Sequence, residues 1–155
     1  MRTVDELIAE APVFAGLGAG RLAFIAGCGR LGHAPAGAYL FREGDPADGF
    51  YLLRAGMLAL EVAAPGREPL TVETFHAGDV VGWSWLFPPY RWQFDGRAVE
   101  ALRLVAFDGV CLRGKCEADH ELGYELMRRF AGAAVERLQA TRRQLLDVYA
   151  HPVGG

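Results

Sequence analysis

Asparagine is absent from the 155 residues, lysine occurs once, at Lys115, and isoleucine twice, at Ile8 and Ile25. Without Asn there is no glycosylation sequon. Basic charge rests almost wholly on arginine, a skew of GC-rich coding that points to a bacterial source. No stretch approaches the ~20 apolar residues that a membrane-spanning helix requires. The opening Met1-Arg2-Thr3-Val4-Asp5-Glu6 carries acids and leads into no apolar run of signal-peptide length. Cysteine is scarce as well: Cys28, Cys111 and Cys116 make an odd set without metal-ligand spacing. Together these absences predict a soluble, cytoplasmic protein with reduced thiols and no membrane partner. Excess positive charge is missing too. A net charge of −3 and a pI near 5.8 exclude a broad face for duplex DNA, which rests on neutralising many phosphates.

Three zones follow one another. Residues 1–30 hold short apolar clusters, Leu7-Ile8 and Phe14 to Ile25, broken by Pro12, Gly16, Gly18 and Gly20, which predicts short helices over 3–10 and 19–28. Residues 31–110 carry recurrent glycines between strand-length stretches: Tyr39–Phe41, Phe50–Leu53, Met57–Val62, Leu70–Phe75 and Val99–Phe107. In the last, Leu102, Leu104 and Ala106 share one face and Arg103, Val105 and Phe107 the other. Many short strands with Gly-rich turns predict an antiparallel sandwich, jelly roll or barrel.

From Glu117 to Tyr149 there is no proline and only two glycines, so a single long helix is expected within 112–149. Met127, Ala131, Ala134, Leu138, Thr141, Leu145 and Val148 recur at alternating steps of four and three. At 1.5 Å per residue such a helix extends on the order of 50 Å, too long to bury against one small β-domain. The spacing predicts a seam that pairs two copies of the chain; a helix lying across its own barrel is the alternative. His151 to Gly155 are expected to fray.

The most specific segment is Tyr39-Leu40-Phe41-Arg42-Glu43-Gly44-Asp45-Pro46-Ala47-Asp48-Gly49-Phe50-Tyr51-Leu52-Leu53-Arg54-Ala55-Gly56. Two strands flank a turn in which Gly44 and Gly49 suit positive φ and Asp45 and Asp48 can cap amides. This segment resembles the cyclic-nucleotide-binding domain family, the sensor module of catabolite-activator (Crp/Fnr-like) regulators. The resemblance implies one α+β, mainly β, domain over residues 1–155: short N-terminal helices, an antiparallel double-stranded β-helix or jelly roll, and a long C-terminal helix that forms homodimers. It implies a phosphate-binding cassette as well, and Gly78-Asp79-Val80-Val81-Gly82 matches the opening of that cassette. The family's ribose-binding Glu falls at Trp83 and its phosphate-binding Arg at Trp92, with Arg91 one position away. Cyclic AMP is therefore not expected to bind in the standard way.

In place of the cassette stands Trp83-Ser84-Trp85-Leu86-Phe87-Pro88-Pro89-Tyr90-Arg91-Trp92, which holds all three tryptophans of the chain. Gly82, Trp83, Ser84, Trp85, Tyr90, Arg91 and Trp92 are the candidate ligand residues. Two readings stand side by side: Trp83 and Trp85 fill the pocket as core, or aromatic walls and Arg91 receive a flat or apolar anionic ligand other than a standard cyclic nucleotide.

No nucleophile elbow, P-loop or paired catalytic carboxylate is present, and Ser84 has no visible His-Asp partner, so a non-catalytic sensor without cofactor or metal is expected. A metal-dependent cupin would need histidines at a spacing that His33 and His76 do not show. A haem sensor would draw an axial ligand from His33, His76 or Cys28. Cys111 and Cys116 are expected to be structural or surface thiols. Regulators of this family continue into a helix-turn-helix for which no residues remain here, so direct DNA binding is not expected; a structural or protein-interaction dimer with a self-filled pocket is the competing class.

Overall fold

The structure is a computed structural model and describes residues 2–150; the expected fraying of His151 to Gly155 lies outside these. Two four-stranded antiparallel sheets face each other, ordered β1-β8-β3-β6 and β2-β7-β4-β5. The strands are β1 Gly29–Ala34, β2 Tyr39–Phe41, β3 Gly49–Ala55, β4 Leu58–Val62, β5 Leu70–Phe75, β6 Val80–Val81, β7 Asp95–Ala98 and β8 Leu102–Asp108. Helices α1 Val4–Ala9 and α2 Ala19–Ala26 precede the sheets, and α3 Gly109–Ala118 and α4 His120–Ala150 follow them. This is the expected jelly roll between short N-terminal helices and a long C-terminal one.

Local chemistry explains the ends of the elements. Thr3 opens α1 with a capping box: its hydroxyl accepts from the Glu6 amide, and the Glu6 carboxylate accepts from the Thr3 amide. Asp108 caps α3 through the Cys111 amide at 3.0 Å. The expected single helix is two. Asp119 leaves helical geometry at φ −131° and ψ 97°, ends α3, and its carboxylate then accepts from the Leu122 amide at 3.2 Å to start α4. An aspartate can both stop and start a helix because its side chain competes for backbone amides.

Alternation divides the core in two. Strand β8 sends Val105 and Phe107 to one side and Leu102 and Leu104 to the other. The first set joins Phe50, Trp85 and the helices, with Ile8, Phe14, Ile25, Leu112, Leu122, Leu126 and Phe130. The second fills the space between the sheets with Phe41, Leu53, Leu58, Phe75, Val81 and Trp92. Arg97 of β7 pairs in bidentate fashion with the buried Glu61 of β4, Nη2 to Oε2 at 2.9 Å.

Other expectations need correction. Strand β8 starts at Leu102 rather than Val99, because the amides of Val99 and Glu100 both turn back to the Met57 carbonyl. Gly44 has φ +89°, but Gly49 does not need a positive φ; a Cβ there would lie 2.3 Å from the Phe107 carbonyl oxygen, so close strand approach demands it. The Glu43 amide in this turn is taken by Asp95 of β7 at 2.7 Å, rather than by Asp45 or Asp48. The expected free thiols are also contradicted. Cys28 and Cys111 form a disulfide with Cα atoms 5.9 Å apart, a separation that suits the bond, and only Cys116 is free.

The first half of α4 packs on the body through Leu122, Leu126 and Phe130, while every residue from Thr141 to Ala150 is exposed. The first half of the helix thus lies across its own barrel, and the exposed end stands clear of it. Met127, Ala131, Leu138, Thr141, Leu145 and Val148 are exposed along one stripe and Ala134 is half-buried. No helix among the described residues is long and apolar enough to cross a membrane.

Candidate ligand-binding cassette

The Gly78–Gly82 segment leaves β5 through a turn in which the Asp79 carboxylate accepts from the His76 amide at 2.8 Å. Gly82 then adopts φ +103°, and a Cβ added there would lie 2.7 Å from Trp92 Cη2. No other residue type meets both demands without strain. Ser84–Leu86 makes a single 3-10 turn, and the chain returns through Tyr90 at φ +56°.

Trp92 is the residue that decides the state of the pocket. It is 7% exposed and lies flat on Phe41, ring centroids 3.8 Å apart and planes 9° from parallel. Its far edge closes on Gly82. The space left between Trp92, Phe41, Phe75, Val81, Gly82 and Phe94 is about 60 Å³. Ligand pockets run from about 300 to 1,000 Å³, so this volume holds about two waters and no nucleotide.

The other two tryptophans do not fill the pocket, as one of the two readings had them do. Trp85 turns to the opposite side of the sheet, fully buried, 4.9 Å from the Phe50 ring and edge-on to Phe130 of α4 at 5.5 Å. Trp83 is 36% exposed, beside both the small cavity and the groove under α4. Ser84 is half-buried beside the same small cavity.

Arg91 and Tyr90 also point away from the interior. Arg91 is exposed and donates from Nη1 to the Gly44 carbonyl at 2.8 Å. This side-chain bond strengthens a zipper in which the Trp92 and Ala47 amides bond Asp45 and Tyr90 across the loop. Tyr90 stacks against the Arg113 guanidinium of α3, 4.1 Å from the ring centroid. Of the candidate residues, then, Gly82, Trp83, Ser84 and Trp92 meet at one small cavity, and Trp85, Tyr90 and Arg91 do not.

A sequence profile described as the cyclic nucleotide-binding domain matches residues 31–119. The chain belongs to this family. A CRP-like cAMP-activated global transcriptional regulator of Mycobacterium tuberculosis is 28% identical over 153 residues, 98% of this chain and 66% of the relative. This chain thus spans about two thirds of the length of that regulator. A provisionally assigned cyclic nucleotide-binding protein from Geobacter metallireducens is 30% identical with a TM-score of 0.80, over 89% of this chain and 99% of that one. The N-terminal domain of a transcriptional regulator from Streptomyces coelicolor shares the fold at TM-score 0.68 and 24% identity, over 90% and 94% of the two chains.

Within this cyclic nucleotide-binding domain, a second larger cleft of about 740 Å³ lies between the Asp45–Gly49 loop and β1, β3 and β8. Asp45, Asp48 and Asp108 face it against the single guanidinium of Arg30, a balance that repels a phosphate. Of the residues offered as alternative haem ligands, Cys28 is in the disulfide, His33 is exposed on β1 and His76 is exposed in the turn after β5. Among the described residues no three His, Cys, Asp or Glu side chains cluster as metal ligands.

Sequence reasoning missed the groups that tie the cassette to the helices. Arg113 of α3 donates to the Trp85 carbonyl, so one guanidinium holds both ends of the cassette loop. Arg137 of α4 reaches Glu73 at 3.2 Å and Asp79 at 2.7 Å, donates to the Thr74 carbonyl at 3.0 Å, and covers the Phe75 ring. Burial raises the Glu73 carboxyl above its ordinary value, with Arg137 opposing the shift. A helix arginine with two acids far away in sequence has no local signature, so only the fold makes the set visible.

Proposed function

We propose that this chain is a non-catalytic regulatory domain, a homodimer through α4, whose cassette is closed by its own Trp92 and does not take cyclic AMP in the standard way. The stack of Trp92 on Phe41, sealed by Gly82, carries this reading. The resemblance places a phosphate-binding Arg and a ribose-binding Glu where Trp92 and Trp83 stand. Two charge-assisted hydrogen bonds of ~1.5–3 kcal/mol each are missing, or about two to four decades of affinity. Displacing the indole adds to that deficit. Calorimetry with cyclic AMP and cyclic GMP tests the reading: no heat of binding is expected up to hundreds of micromolar, on the order of what that deficit implies. A low-micromolar dissociation constant for either nucleotide overturns it.

The exposed stripe from Met127 to Val148 supports the homodimer, since a helix that leaves Leu138 and Leu145 about half exposed has apolar area to bury. Replacing both with Asp is expected to give monomers in sedimentation. A monomeric wild type at tens of micromolar, on the order of a weak dimer's dissociation constant, removes this part of the proposal.

The 60 Å³ remnant favours a second reading, in which the dimer recruits a protein partner and senses no small molecule. Native mass spectrometry separates the two. A retained small molecule supports sensing; a bare dimer supports recruitment. In both, the proposed setting is the cytoplasm and no duplex DNA is contacted directly, in keeping with the acidic pI.

A further inference from the structure

Cys28 and Cys111 stand 83 residues apart and join two places that matter for movement of the helices. Cys28 follows α2, its amide bonded to Ile25 and its carbonyl accepting from the Asp108 amide at 2.8 Å. Cys111 lies in the first turn of α3, the helix that connects the sheets to α4. The remaining ties of α3 to its surroundings include Arg113 to the cassette loop and Lys115 Nζ to the Phe24 carbonyl of α2 at 2.6 Å. The sulfur bridge is the covalent one.

Both cysteines line the 740 Å³ cleft, beside Asp48, Asp108 and the exposed Val110. Cys28 is 7% exposed and Cys111 is half-buried, so the Cys111 end of the bridge is the more open of the two residues. Cys116 does not line the cleft; it sits under Gly123 at the α3–α4 junction. Burial, Asp119 and Glu117 push its thiol up, which makes it a poor competitor for exchange.

We propose that Cys28 and Cys111 are a reversible thiol–disulfide site, reached through this cleft by low-molecular-weight thiols and disulfides, whose closed form locks α3 to the end of α2. The proposal goes beyond the reading of the cassette and does not depend on it. Opening proceeds by attack of an external thiolate on Cys111 Sγ, which breaks the Sγ–Sγ bond and releases Cys28 as a thiolate that takes up a proton. A second external thiolate attacks the outer sulfur of the mixed disulfide, and Cys111 leaves and is protonated. Two external thiols are oxidised to one disulfide, and the protein disulfide is reduced to two thiols. Closing is the reverse: the Cys111 thiolate attacks an external disulfide and expels one external thiolate, and the Cys28 thiolate then attacks Cys111 Sγ and expels the other.

The test is the full chain equilibrated with reduced and oxidised glutathione at a series of ratios, followed by alkylation mapping and amide exchange. Cys28 and Cys111 are expected to change state together while Cys116 stays alkylatable throughout. In the reduced protein, amides of residues 110–118 are expected to exchange about tenfold faster or more, because a local opening no longer works against a covalent tether. Cys28→Ser and Cys111→Ser are each expected to show the fast rate at every ratio, and Cys116→Ser to respond like wild type. A pair that keeps one oxidation state across all ratios overturns the proposal. So does reduction that leaves exchange of α3 unchanged. The wild-type arm needs no substitution, so a misfolded variant does not blunt the result, and neither outcome bears on cyclic nucleotide binding.

Discussion

Arg137 Nη2 meets Asp79 Oδ2 at 2.7 Å, joining the long C-terminal helix to the turn that opens the cassette. The same guanidinium holds Glu73 of β5 and lies 4.0 Å above the Phe75 ring, so three segments share one cation. Arg137 sits next to Leu138 of the exposed stripe. Arg137→Met is expected to cost about 1–2 kcal/mol, discounted for partial exposure, since a charge-assisted set is lost while the apolar stem remains. A urea midpoint that falls at unchanged slope checks it.

Glu73 supplies a pH dependence. Burial disfavours its charged form and raises its folded pKa above the ordinary value of 4.5. The folded state therefore holds the proton more tightly than the unfolded one, and this contribution is present below the ordinary value. It is lost as pH rises from 4.5 through the higher folded pKa. Glu73→Gln is expected to flatten the stability profile in that window. Arg137→Met, which removes the opposing cation, is expected to steepen it. Chemical denaturation at closely spaced pH values gives the two slopes.

Gly82 and Trp92 form a coupled pair. Gly82→Ala places a methyl against the indole at a positive φ and is expected to cost more than ~2 kcal/mol. Trp92→Ala removes a buried ring and is expected to cost about 3–5 kcal/mol. With both changes the methyl has space, so the sum is expected to exceed the double variant by about 1–3 kcal/mol. Simple additivity in this cycle speaks against the packing described.

Arg113 holds Tyr90 and the Trp85 carbonyl from α3. Arg113→Lys keeps the charge but not the planar group that stacks on Tyr90. Faster amide exchange across residues 84–92, with the sheets unaffected, is the expected result. Equal protection in the two proteins removes the coupling.

Much of the fold was legible because its strands advertise themselves: Leu70–Phe75 and Tyr39–Phe41 begin and end where their apolar residues do. Strand β7, Asp95-Gly96-Arg97-Ala98, escaped notice because its identity lies in partners. Gly96 lets Phe41 approach, where a Cβ would stand 2.4 Å from the ring, and Arg97 pairs with Glu61. Strand β1 carries Gly29, Gly32 and an exposed Leu31 and has no apolar rhythm. The break at Asp119 leaves the heptad steps untouched, so periodicity is blind to it. In the site, the presence of tryptophan at the two positions where the resemblance leads one to expect polar residues was visible. Which indole turns inward was not, since direction depends on Gly82 and Phe41. The pairing of Cys28 with Cys111 was hidden by a sequence separation of 83.

The solvated final third of α4 makes the helix a lever. Its 31 residues extend about 46 Å, and every residue from Thr141 to Ala150 is exposed, with Gln144 still bordering a shallow cleft beside β5. A bend of about 10° beyond the Arg137 anchor sweeps the far end, about 20 Å further on, through about 3 Å while the packed base stays in place.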